Sequence, residues 1–187
     1  FTIASISNAS DFGDLYAGSY SQVGSINNAT RAVIGTGATA ADGSGTGRMD
    51  YFTIASTGDA SDFGDMVVSG DQLGAQGIGG AESTTRGVFF SGESSTDATP
   101  LDNMAYITVD TTGNSSDFGN VIAVTANNDG SAATGNATKA EAYGYGTGAT
   151  GAANDNIQSI TIASTGDAAD NGNMLAAIVN NASISGT

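Results

Sequence analysis

Four short acidic elements recur along the chain: Asp11-Phe12-Gly13-Asp14, Asp62-Phe63-Gly64-Asp65, Asp117-Phe118-Gly119-Asn120 and Asp170-Asn171-Gly172-Asn173, at separations of 51, 55 and 53 residues. Three of the chain's four cations, Arg31, Arg86 and Lys139, occupy one phase of this repeat, each 31 residues before the next element. Two kinds of chemistry suit such residues. A guanidinium beside a carboxylate makes a charge-assisted, often bidentate hydrogen bond that fixes register, and breaking one costs about 3–5 kcal/mol when it is fully buried. Clustered carboxylate oxygens are hard ligands for calcium. The first chemistry is the expected one here: each cation bonds a carboxylate of a neighbouring Asp-x-Gly-Asp/Asn element, so that Arg86→Ala destabilises more than a loop change such as Ser95→Ala. For calcium, the turns Asp59-Ala60-Ser61-Asp62 and Asn127-Asn128-Asp129-Gly130 offer oxygens, but neither has EF-hand or nonapeptide spacing. Solvated turns without a cofactor are expected at both. The letters Asp-Phe-Gly match the magnesium-binding triplet of protein kinases, yet they recur and lack the glycine-rich loop, lysine strand and catalytic loop of that site. Phe12, Phe63 and Phe118 are expected to fill the space between repeat units, and Gly13, Gly64, Gly119 and Gly172 to supply a backbone geometry that other residues resist.

Composition removes most other chemistry. The 187 residues include 28 Gly, one Pro and no Cys, His or Trp, which excludes disulfides, Cys/His zinc sites, Cys nucleophiles and any His-based triad. Nineteen acids against four bases give a net charge of −15, incompatible with neutralising a run of phosphates and repelled by an anionic membrane. No apolar stretch is long enough to cross a bilayer as a helix, and Phe1 to Ser5 do not resemble a signal peptide. The absence of an initiator Met points to a processed or incomplete N-terminus. The acids sit mainly in repeated turns, whereas the paired carboxylates of a glycosidase form one unique constellation. Only Glu141 with Tyr143 and Tyr145 faintly resembles an unrepeated cluster, and no enzymatic activity is expected. Tyr143 and Tyr145 are instead candidates for a binding loop.

The elements that position these residues are strands. Asp50 to Ser56 and its counterpart Ala105 to Val109 concentrate β-branched and aromatic residues, with small or apolar side chains on both faces, as in a strand packed between neighbouring sheets. A turn follows (Thr57-Gly58-Asp59-Ala60-Ser61, or Thr112-Gly113-Asn114-Ser115-Ser116), and the chain returns through Phe63 to Val68. The cation segments (Arg31 to Ile34, Arg86 to Phe90) form another strand, and Tyr20 to Ile26 and Gln72 to Ile78 a weaker one. The spacing from cation to acidic element is constant, whereas that from the element to the next cation is 20, 24 and 22, so length variation is confined to one segment. The least repeated stretches, Gly37 to Gly47, Gly92 to Asp102 and Gly144 to Asp155, are expected to be loops. An all-β fold with four short strands per unit, a period of 51–55 residues and almost no helix follows, which is the signature of propeller blades.

The blocks Asp50-Tyr51-Phe52-Thr53-Ile54-Ala55-Ser56-Thr57-Gly58-Asp59-Ala60-Ser61-Asp62-Phe63-Gly64-Asp65 and Thr85-Arg86-Gly87-Val88-Phe89 carry a resemblance to the kelch-like repeat proteins of marine cyanobacterial phages. The resemblance extends over all 187 residues, in units 1–29 (partial), 30–84, 85–137 and 138–187. The last unit departs from the pattern, with Lys139 in place of Arg and Asn171 in place of Phe. The resemblance implies kelch-like β-propeller blades in an incomplete or oligomer-completed propeller. It also implies a virion structural or tail-fibre role in a virion or extracellular setting, with other virion or filament subunits as partners, in a homo-oligomer. On that basis a host surface receptor or glycan would be recognised through inter-strand loops. The alternative expectation is a secreted lectin-like or glycan-active propeller module.

Overall fold

The computed structural model describes residues 8–16, 20–21, 23–39, 45–68, 71–74, 79–94, 100–122, 132–143, 146–147 and 152–178. The described residues form three antiparallel sheets and no helix. The first contains β1 (Tyr20–Ser21), β2 (Gly24–Asn27), β3 (Arg31–Thr39), β4 (Gly45–Thr53) and β5 (Ser61–Asp65). The second contains β6 (Val67–Val68), β7 (Asp71–Gly74), β8 (Gly79–Glu82), β9 (Arg86–Ser94), β10 (Pro100–Thr108) and β11 (Ser116–Asn120). The third contains β12 (Ala132–Gly135), β13 (Lys139–Tyr143), β14 (Gly146–Thr147), β15 (Ala152–Thr161) and β16 (Ala169–Ile178). In the first sheet β1 and β2 lie end to end along β3, as β7 and β8 do along β9, and in the third β13 and β14 lie along β15. Each sheet is therefore built on a four-strand meander in which the cation strand is second and the Asp-x-Gly element lies in the fourth, and in the second sheet β6 adds a two-residue strand outside β7.

Local chemistry explains the turns. Asn28 Oδ1 accepts the Thr30 and Arg31 amides, both at 2.9 Å, and Asn136 does the same for Thr138 and Lys139, which tightens the turn into the cation strand. In each fourth strand the Asp side chain accepts the amide of the Gly two residues on, and that Gly has positive φ (139° at Gly64 and Gly119, 110° at Gly172), a geometry costly for any residue with a Cβ. A bulge against the third strand results at the same place in all three sheets.

The strand bounds correct two expectations. The third strand does not run to Ser56; it ends at Thr53, Thr108 and Thr161. There the Ile54, Val109 and Ile162 amides turn to the Thr30, Thr85 and Thr138 carbonyls, each at 2.9 Å. The stretches expected as loops are largely paired strand, with Gly37 opposite Thr46, Leu101 opposite Gly92 and Gly146 opposite Ala153, because glycine costs a paired hairpin less than losing its ladder would. Their centres (40–44, 95–99, 148–151) lie outside the described residues, as do Asn127 to Gly130 and Tyr145.

The sheets pack face to face in chain order. Ile26, Val33, Met49, Phe63 and Met66 of the first meet Phe89, Ala105, Ile107 and Val109 of the second. Val88, Phe90, Met104, Phe118 and Val121 on the other side of the second meet Ala133, Ala140, Ala142, Ile160 and Ile162 of the third. The middle sheet is thus apolar on both faces, and consecutive residues Val88, Phe89 and Phe90 are all fully buried. We call the side of a sheet that meets the next one its forward face.

Candidate functional site

The repeated residues converge on the joints between sheets. In the first described joint the Gly58 and Ala60 amides donate to the Phe12 and Asp14 carbonyls, both at 2.8 Å. In the next, Gly113 and Ser115 donate to Phe63 and Asp65 at 2.7 and 2.9 Å, and in the last Gly166 and Ala168 donate to Phe118 and Asn120 at 2.7 and 2.8 Å. The intervening amide is satisfied by a side chain: Asp14, Asp65 and Asn120 donate to Oδ1 of Asp59, Asn114 and Asp167 at 3.1, 3.0 and 2.9 Å. Each joint is a short parallel ladder in which an Asx oxygen replaces one backbone carbonyl. Gly13, Gly64 and Gly119 are required twice over, by their φ and because a Cβ would overlap the Gly58, Gly113 and Gly166 carbonyls.

Arg31 and Arg86 overturn the expected ion pair. Arg31 lies over the Tyr51 ring at 4.2 Å and donates from Nη1 to the Val109 carbonyl of the next sheet at 3.0 Å. Arg86 lies over Tyr106 at 4.5 Å and donates to the Ile162 carbonyl at 3.0 Å. Tyr51 and Tyr106 in turn meet Phe63 and Phe118 edge to face, at centroid distances of 6.0 and 6.1 Å. The guanidinium prefers this place because the ring supplies attraction without a second buried charge, and the uncovered turn carbonyl supplies an acceptor. The described ion pairs fall elsewhere. Lys139 meets Glu141 at 3.3 Å and the Asn171 amide oxygen at 3.0 Å, on an exposed surface. Arg48, outside the repeat phase, pairs with buried Asp50 at 2.7 Å, reaches Asp62 at 3.8 Å and lies over Tyr16 at 3.7 Å.

Of the Phe residues, Phe63 and Phe118 fill the gaps between sheets, while Phe12 is 39% exposed and packs edge to face on Phe52. Tyr143 is half-buried in β13, paired with Ala132 and Ile157, and is not a loop residue. Of the two turns offered for calcium, the described one spends its carboxylates on backbone amides: Asp59 on Asp14 and Asp62 on Gly64. Among the described residues no group of three or more acidic, His or Cys side chains could hold a metal ion.

Sequence reasoning missed four things here: the two Tyr residues, the Asx acceptors, Gln158, and the Arg48 pair. Gln158 is 1% exposed and satisfies the Ile122 amide through Oε1 at 2.6 Å. The Asx position was visible, since an Asp or Asn follows Thr-Gly in every complete copy. A cleft of about 230 Å³ lies beside Lys139, Ser159, Thr161 and Asp167.

The two edges of the array differ. Turns joining first to second and third to fourth strands lie on one edge and carry the repeated residues and all three joints. The hairpins between second and third strands, and the links from a fourth strand to the next sheet, leave from the opposite edge, and these are the segments that diverge in sequence or in length. No protein-family model and no curated protein matches the sequence.

Proposed function

We propose that the three sheets are kelch-like blades of an incomplete or oligomer-completed propeller, and that the chain is a structural and adhesive component of an extracellular or virion-borne appendage such as a phage tail fibre. The observation that supports this reading is the division of labour between the edges. One edge repeats a rigid joint, and the other presents diverging hairpins and links on a fixed frame, the arrangement by which scaffolds present recognition surfaces. The partners are other appendage subunits and a host surface molecule, in the first instance a glycan, and the role requires no catalysis. Close approach of the first strands favours blades, since a Cβ at Gly80 of β8 would overlap the Ser25 carbonyl of β2.

Mass spectrometry of purified particles, together with binding of the isolated chain to host cells, tests the role. The chain is expected in the particle, and exchanging residues 92–102 for 37–47 is expected to change host-cell binding without lowering the melting temperature. Absence from particles and appendages would sink the proposal. The second reading, a secreted lectin-like or glycan-active module, draws on the polar cleft beside Lys139. Release of reducing ends from a host polysaccharide by the isolated chain would favour it.

A further inference from the structure

The forward faces of the three sheets can be compared position by position. Where the first two carry Arg31 and Arg86, the third carries Lys139; where they carry Val33 and Val88, it carries Glu141. Tyr51 and Tyr106 become Ser159, and Phe63 and Phe118 become Asn171. These four positions are among those that receive the next sheet in both inter-sheet cores, as the apolar contact, the ring stack and the guanidinium donor. The opposite face of the same strands is an internal control. There Ala140, Ala142 and Ile160 stay apolar and are at most 5% exposed against the middle sheet. Gln158 on that face is polar but equally buried, with its oxygen spent on the Ile122 amide, so that face stays packed and the exposed charges are confined to the other.

The replacements also form a polar network of their own. Lys139 Nζ bonds Glu141 and Asn171, and Asn171 Nδ2 returns to Glu141 at 2.9 Å, so the three side chains satisfy one another while exposed. Beneath them the backbone socket persists. Asp170 still accepts the Gly172 amide, yet a Cβ at Gly172 meets nothing within 4 Å among the described residues, whereas Gly13, Gly64 and Gly119 abut the carbonyl of the following turn.

We infer that the forward face of the third sheet is a built stop: its side chains refuse a further repeat, whether from this chain or from a second copy. Stacking there would strip water from Glu141 and Lys139, while Tyr143 and Ile157, the apolar side chains left on this face, are already half-buried and offer little further area in exchange. Growth of a repeat array is halted in this way by an end unit with a polar outer face. The inference concerns this face alone: of the two arrangements proposed above it selects the incomplete propeller, since an oligomer-completed one would seat a second copy here, and it holds whether or not the chain belongs to an appendage.

The test restores the face. A variant carrying Lys139→Arg, Glu141→Val, Ser159→Tyr and Asn171→Phe is expected to associate in sedimentation velocity as its concentration rises tenfold, and to raise hydrophobic-dye fluorescence severalfold, while the natural chain does neither through this face. A variant that sediments and binds dye as the natural chain does would overturn the inference. A second measurement does not depend on that variant folding. The chain has no Cys, so Asn171→Cys supplies a unique thiol, expected to react with a maleimide at the same rate at low and high protein concentration. Protection of that thiol at high concentration would show the face occupied and would equally overturn the inference.

Discussion

The middle and third sheets have the same meander, the same turn chemistry and the same bulge, yet they are stabilised differently. The middle sheet buries Val88, Phe89, Phe90, Met104 and Ala105 completely, so each of its faces contributes to a core. The third buries Ala140, Ala142 and Ile160 on one face, and on the other exposes Lys139 and Asn171. Backbone pattern alone therefore does not decide how much a sheet contributes; what its side chains meet does.

The sharpest break in that comparison is expected from Phe118→Ala, which removes a ring 2% exposed between the two sheets and should cost about 3–5 kcal/mol in denaturant melts. Leu175→Ala, at a fully exposed position of the third sheet, should stay within about 0.5 kcal/mol. Equal midpoints would mean that the gap between sheets is not a packed core.

Next comes the joint. Gly119→Ala meets both a strained φ and the Gly166 carbonyl, whereas Gly172→Ala meets only the strain. The strain is about 1–3 kcal/mol in either case, so the excess loss at Gly119 measures the joint itself. Indistinguishable losses would show that the ladder between Phe118–Asn120 and Gly166–Ala168 contributes nothing.

A smaller contrast separates the cations. Arg86→Ala loses a ring contact and a hydrogen bond to Ile162, about 1–3 kcal/mol together. Lys139→Ala breaks an exposed pair worth about 0–1 kcal/mol. If Tyr106→Leu leaves the cost of Arg86→Ala unchanged in a double-mutant cycle, the ring is not the partner.

The smallest effect concerns pH. Glu82 in β8 has its pKa raised above the usual 4.5 because burial penalises its charged form. A carboxyl raised on folding destabilises while ionised, and that penalty is relieved as pH falls through the folded-state pKa toward 4.5. Glu82→Gln should therefore be more stable than the natural chain at pH 7, with the difference shrinking on acidification. A difference that grows on acidification would reverse the assignment.

How much of this was legible follows from what local sequence encodes. The strands, the turns and the absence of helix among the described residues came through because β-branched clusters and Thr-Gly-Asx turns report on neighbours a few residues away. The partner of Arg86 did not, because Tyr106 lies twenty residues on and reaches Arg86 only after β9 and β10 pair, with Val88 opposite Tyr106. The charge count made a carboxylate the natural guess, but the nearby Asp117 is spent on the Gly119 amide. The hairpins looked like loops because glycine-rich composition hides pairing that depends on a partner strand.

One feature of the joints bears on the chain's acidity. The acceptor that closes each ladder is Asp59, Asn114 or Asp167, and either residue type serves because the amide needs an oxygen and not a charge. The same tolerance operates one step away, where the donor is Asp14, Asp65 or Asn120 and acts through its backbone amide. A molecule with net charge −15 thus holds part of that charge at positions indifferent to it. Exchanging Asp for Asn at these sites would tune colloidal repulsion and response to salt while the architecture stays as it is, so ionic surroundings and folding can be adjusted separately.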